Sequence, residues 1–232
     1  MSSQVERVVT ELRGRILSGR LPAGQRVVEL QFADELAVSR TPLRLALAEL
    51  EKEGLLERLP KRGFRVRAFT LAQIADAVDV RGALEGMAAR LAAERGIEHG
   101  VLGQMQACLS AGQYLVEEAD RNDCGVHALQ WSELNQRFHG LVVQASANEA
   151  LAATLAFVSR IPMAGANALT LQGLVPSLET AFIRRAQQDH VDCVQALQQH
   201  SGSRAEAVMR EHAFRSRENK KLLIARMGRT IV

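Results

Sequence analysis

The sequence predicts a mostly α-helical chain in two parts: a small N-terminal unit of three helices and a β-hairpin, then a C-terminal all-α antiparallel bundle. Three observations predict it. Hydrophobic residues make up 47% of the 232, but aromatics only 4%. Ala, Leu and Arg dominate, and these lose little freedom in a helix. The pattern also changes near residue 70, from short elements to long amphipathic stretches. Charge follows the same division. Residues 1–68 carry 13 Lys/Arg against 9 Asp/Glu, a net of +4, and the remainder carries 16 against 17, a net of −1. A basic head on a near-neutral body points to a polyanion partner for the head alone.

In the head, Val5, Val8, Val9, Leu12, Ile16 and Leu17 recur at helical spacing. Gly19, Pro22 and Gly24 break the pattern. A second helix is expected from about Glu29 to Leu36, then a tight turn at Ala37–Val38. Ser39 is placed to N-cap a third helix running to about Glu53, with Pro42 in its first turn and Gly54 closing it. LLERL, a PKRG turn and FRVRA read as two strands of a hairpin. Three helices followed by a basic hairpin form a winged helix-turn-helix. Its last helix enters the DNA major groove with its N-terminal residues on base edges. Arg40, Thr41 and Arg44 stand at that end, and arginine bonds guanine bidentately. Lys61 and Arg62 occupy the hairpin tip for phosphate or minor-groove contact, with Gly63 permitting close backbone approach.

The bundle is expected from amphipathic stretches at about 71–97, 100–121, 127–146, 176–200 and 204–226, with a shorter helix near 149–161. Pro162, Gly165, Gly173 and Pro176 mark a break. The domains are thus set at 1–69 and 70–232. Asn135 and His139 are four apart and share a helix face, while His190 and His212 lie on later helices. Three imidazoles can hold a divalent ion with a coordination position left open, provided their helices converge. Asn219, seven residues after His212, falls on the same face and within reach of such a pocket. Cys108, Cys124 and Cys193 fit no zinc or disulfide spacing and read as free thiols of a reducing, cytoplasmic compartment. The N-terminus has no apolar signal run, and no stretch reaches the ~18 apolar residues of a membrane span.

The run LPAGQRVVELQFADELAVSRTPLRLALAELEKEGLLERLPKRGFRV resembles the N-terminal domain of GntR-family bacterial regulators. That resemblance implies base reading by Arg40, Thr41 and Arg44 and wing contact through Lys61, Arg62 and Gly63. Leu30 stands where FadR-type relatives often carry a further DNA-contacting Arg. The segments DVRGALEGMAARLAAERG, NQRFHGLVVQASANEAL, DHVDCVQAL and MREH resemble the FCD effector domain of the FadR subfamily. That likeness implies a metal held by Asn135, His139, His190 and His212, zinc first and Ni, Co or Mn also suited. It places Arg81 on an effector carboxylate, and Glu85, one turn on, beside Arg81. With Asn where relatives have Asp, the ion's charge is left for an anionic effector to balance. AVDVRGALEG, NQRFH and MAGANALTL are similar to the vanillate-responsive regulators, implying an aromatic or other small carboxylic acid.

The expected function is therefore a homodimeric repressor on a palindromic double-stranded operator, released by a small carboxylate. It is not an enzyme. A metalloenzyme acting on a small acid is the runner-up, disfavoured because the sequence places no carboxylate beside the histidines as general base. A constitutive DNA binder with a closed, structural metal is the third reading.

Overall fold

A computed structural model describes residues 4–17, 19–60, 63–159, 161, 164–165 and 176–226. Two compact units divide between Ile74 and Ala75. Among the described residues, α1 (Gln4–Leu17), β1 (Arg26–Val27), α2 (Glu29–Glu35), α3 (Arg40–Lys52), β2 (Leu56–Arg58) and β3 (Phe64–Val66) precede α4 (Leu71–Arg95). Then come α5 (His99–Arg121), α6 (Ala128–Ala145), α7 (Glu149–Val158), α8 (Pro176–Gln198) and α9 (Gly202–Arg226). The mostly helical fold class with its small N-terminal sheet is the one the sequence predicts.

The first unit closes on one apolar cluster. Val8, Leu12 and Ile16 of α1 meet Phe32 of α2, Leu43, Leu47 and Leu50 of α3, and the inward residues of the sheet. The sheet has the antiparallel order β1-β3-β2. β1 is the strand that sequence reading misses, because two residues carry no alternation to detect. Val27 is its one buried side chain, opposite Phe64. Ala37 makes the turn between α2 and α3 at φ 51, in the left-handed region. Ser39 stands at the N-cap of α3 but makes no side-chain cap bond. Pro42 is the third residue of that helix, so one of the two amides a cap serine would bond is absent.

In the second unit α8 packs on α9 and α5, and α5 on α6. Its core holds Ala88, Ala89, Ala92 and Ala93 of α4, Met105, Phe138, Val142, Leu197 and Met209. The alanine face lets neighbours approach closely. A Cβ added at Gly82 would lie 2.5 Å from the Ala213 Cβ, and one at Gly86 would lie 2.7 Å from Arg210 Cγ. Arg217 Nη1 binds Asp79 at 2.5 Å. Position numbers therefore fall on α9 as they rise on α4, and the two helices run antiparallel. Asn148 caps α7 by accepting from the Leu151 amide at 3.1 Å. Asn148→Ala is expected to cost about 1 kcal/mol, read as a lower urea midpoint with an unchanged slope. The break at 162–175 lies largely outside the described residues.

Candidate functional site

On the first unit the N-terminal end of α3 is open to solvent, with Arg40, Thr41 and Arg44 all exposed. They are not equivalent. Arg44 Nε donates to Glu29 Oε2 of α2 at 2.7 Å, so that guanidinium is already oriented by a carboxylate. Arg40 makes no ion pair among the described residues. Gly63 has φ 90, and a Cβ there would sit 3.6 Å from the Val27 carbonyl. Only glycine takes that backbone without strain. Lys61 and Arg62 lie outside the described residues. Leu30 is exposed, and so is Leu45 beside Arg44, an apolar member of the face that sequence reading passed over.

In the second unit the three histidines converge. His139 of α6, His190 of α8 and His212 of α9 each offer a ring nitrogen within 4.8 Å of the others, and all are buried. The His139–His190 and His190–His212 centroids lie 5.3 and 4.9 Å apart. His190 is held by stacking: Phe138 lies 4.1 Å away with an interplanar angle of 22°, and Trp131 lies beyond it at 6.1 Å. Asn135 is buried one turn before His139 and lines a tight void with His190, Trp131 and Phe138. Other histidines serve the fold. His200 Nδ1 meets the Ala93 carbonyl at 3.0 Å, and His127 caps α6.

The expectation that no carboxylate stands beside the histidines is corrected. Glu85 Oε1 lies 3.0 Å from His139 Nδ1, and Asp189 Oδ2 lies 3.4 Å from His212 Nδ1. Glu85 does more than accompany Arg81, whose Nε lies 3.6 Å from Glu85 Oε2. Burial alone would raise the Glu85 carboxyl, but Arg81 and His139 outweigh it and hold it at about 2. Burial likewise opposes ionisation of Asp189, and the His212 hydrogen bond and Arg215 overcome it. Both are therefore carboxylates at neutral pH. The negative charge that sequence reading sought in an effector is partly supplied by the protein, one layer behind the rings.

This arrangement suits a metal. A carboxylate on Nδ1 fixes a histidine's tautomer and leaves Nε2 as the outward donor. His139 Nε2 and His190 Nε2 are buried without a hydrogen-bond partner among the described residues. Burial pushes His190 well below its ordinary value, helped by His212 and His139, and burial also lowers His212. Both rings are thus neutral, the form that ligates. Orphaned buried ring nitrogens facing one another are costly unless an ion shares them. The thiols behave differently. Burial drives Cys193 up to about 12 and raises Cys108, leaving inert side chains, while Cys124 is exposed.

Two further charged groups enter the interior. Arg81 is 1% exposed, and its Nε and Nη1 lack hydrogen-bond partners among the described residues. Lys220 of α9 is 3% exposed, whereas Asn219, the residue the spacing favoured, is half-buried. The buried face of α9 runs through Ala205, Met209, His212, Ala213, Ser216 and Lys220. Its centre lies between His212 and Ala213, which brings Lys220 inside and leaves Asn219 at the edge.

Comparison with known proteins agrees with this layout. Residues 4–66 match the model of bacterial regulatory proteins of the gntR family, and residues 76–215 match the FCD domain. The chain is 36% identical over 136 residues to a probable D-xylose utilization operon transcriptional repressor of Paenarthrobacter nicotinovorans. That match covers 59% of this chain but 56% of the relative, little more than half its length. It is 35% identical over 138 residues to an uncharacterized HTH-type transcriptional regulator of Agrobacterium vitis, covering 59% of this chain and 77% of that one. Among solved structures, E. coli McbR/YncC superposes with a TM-score of 0.70 over 98% of this chain and 100% of its own, at 22% identity. Both sequence relatives are named as transcriptional regulators, not as enzymes. With a helix-turn-helix ahead of a helical FCD domain, the chain belongs to the GntR family of bacterial transcription regulators.

Proposed function

We propose that the chain is a repressor that binds a palindromic operator as a homodimer and is released by a small carboxylic acid held in the helical unit. Residues 1–69 would bind DNA, and 70–232 would bind the effector and the second copy. The observation that carries this reading is the buried cluster of Arg81, Glu85 and three histidines in a chain that also holds a helix-turn-helix. Arg40, Thr41 and Arg44 read base edges, and Lys61, Arg62 and Gly63 carry the wing contact. His139, His190 and His212, with Asn135 beside them, would hold a divalent ion, zinc first and Ni, Co or Mn next. When bound, that ion supplies a Lewis-acidic anchor for an oxygen of the effector. Arg81 orients the acid, and Glu85 and Asp189 fix two of the rings. Exposed Val80 and Met87 on α4 and Phe214 on α9 support a second copy as partner. No helix among the described residues is long and apolar enough to cross a membrane, which agrees with a cytoplasmic regulator.

The metalloenzyme reading regains its carboxylates but not a base. A general base works best with a pKa near the operating pH, and Glu85 is held at about 2. The constitutive reading needs a closed shell of four protein ligands. Three histidine nitrogens converge here, and Asn135 as a fourth ligand would close the shell.

The test begins by selecting an operator from random duplexes, then measures fluorescence anisotropy with vanillate, benzoate, lactate and succinate, with and without chelator. Release of DNA by an acid supports the reading, and no response to any of them overturns regulated release. Arg44→Ala is expected to lose about 1–3 kcal/mol of discrimination at one base pair of each half-site. Lys61→Ala is expected to weaken all sequences alike and flatten the salt dependence by about one counterion. Titrations across salt on matched and single-mismatch duplexes check both.

A further inference from the structure

We propose that Lys220 is a second cationic contact for the effector, so that the acid's carboxylate lies between Arg81 and Lys220. The inference rests on the effector pocket proposed above and adds a residue to it. His212, Ser216 and Lys220 recur at successive turns of α9 and are all buried. The pairs Asp79–Arg217, Gly82–Ala213 and Gly86–Arg210 fix the antiparallel register of α4 and α9. In that register Lys220 stands nearly level with Asp76, and Arg81 with Arg215. Helical side chains lean toward the N-terminus of their own helix. Arg81 therefore leans toward Ala77 and Lys220 toward Ser216, and the two cationic ends approach each other from opposite helices.

Electrostatics places them together as well. Burial first and then the Arg81 guanidinium hold the Lys220 ammonium well below its ordinary value, and the Glu85 carboxylate opposes them. Arg81 and Lys220 both lie in the field of Glu85, which is also committed to His139. Asp189 is engaged by Arg185 at 2.9 Å and Arg215 at 2.8 Å. Among the described residues no hydrogen-bond acceptor meets Arg81 Nε or Nη1. A carboxylate between the two ends accepts from the Arg81 donors, and its negative charge favours the protonated form of Lys220, which a neutral amide cannot do.

The test uses the full-length dimer. The chain has one tryptophan, and Trp131 stacks over His190, so its fluorescence reports the site. Vanillate, benzoate, lactate and succinate are titrated against wild type, Lys220→Met, Lys220→Gln and Lys220→Arg, with the amide of the tightest binder as control. Lys220→Met is expected to weaken the acid at least tenfold, leave the amide unchanged, and leave Co²⁺ quenching of Trp131 within twofold. Lys220→Arg is expected to recover affinity to within about threefold of wild type. Should the uncharged variants fail to fold, ¹⁵N-lysine labelling reads the wild-type protein, whose four lysines leave few signals to assign. The Lys220 resonance must then move on adding acid and not on adding amide. Acid affinity unchanged in Lys220→Met, or a Lys220 signal indifferent to acid, overturns this inference and leaves the Arg81 pocket standing. No acid bound by wild type at millimolar concentration overturns the pocket reading, and this inference with it.

Discussion

Glu85→Ala is expected to lose about 3–5 kcal/mol of stability, the range for removing one partner of a buried ion pair. The cost comes less from the attraction lost than from what stays behind. Arg81 is 1% exposed and would keep its charge with no carboxylate in reach on its own helix. Lys220 would lose the Glu85 carboxylate, whose field favours its charged form. Glu85→Gln is expected to fall between, since the amide accepts a hydrogen bond without balancing the charge. Urea denaturation followed by circular dichroism measures the change, and a loss under 1 kcal/mol in the alanine variant would falsify the buried-pair account. The same substitution is expected to lower metal affinity about 10–100-fold, because His139 loses the group that orients its ring. Isothermal titration with Zn²⁺ in refolded, concentration-matched samples separates this from unfolding. Lys220→Met serves as the control, because it removes charge from the neighbourhood without touching His139.

How far the sequence foretells these residues depends on where their partners lie. The helices of the bundle are legible because an apolar stripe recurs every three to four residues, as in Val78, Arg81, Glu85, Ala88 and Ala92 of α4, whose buried face also carries the two charges. The histidines can be grouped by family spacing. Their carboxylates cannot, for different reasons. Glu85 lies on α4, 54 positions before His139, and no local period links them. Asp189 precedes His190 directly, yet it serves His212 instead, since neighbours on a helix point about 100° apart. Asn219 against Lys220 turns on phase. Counting seven from His212 finds the same face, but the buried face of α9 is centred to one side of His212, a fact set by its packing on α4 and α8. In the head, β1 escapes because the sheet, and not the strand's own pattern, defines it. The ion pair of Arg44 with Glu29 joins two helices, so base-reading potential was visible and its intramolecular competitor was not.

The second large effect concerns acid and metal at His190. In metal-free protein, His190 and His212 have lowered values, so each binds a proton more readily unfolded than folded. The unfolded chain therefore holds more protons in the window below about 6.5, and stability falls as pH drops through it. Glu85 adds a second, lower step. Its carboxyl sits at about 2 in the folded chain against an ordinary value of 4.5, so its contribution is present above about 4.5 and is lost as pH falls toward 2. Thermal melts of chelated protein from pH 8 to 5 are thus expected to hold level down to about 6.5 and to decline below it, before Glu85 titrates. Excess Zn²⁺ at pH 7.5 is expected to add about 4 kcal/mol at a thousand times its dissociation constant, and less as protons compete for the rings. His190→Leu separates the two effects. It removes a buried, unpartnered Nε2 and keeps an apolar body against Phe138 and Trp131. The metal-free variant is expected to equal or exceed wild-type stability, to lose part of the decline below pH 6.5, and to gain nothing from zinc. A variant still stabilised by zinc would mean that His139 and His212 hold the ion without it. A destabilised variant would mean that the imidazole, and not an ion shared by three rings, is what the fold requires at this position.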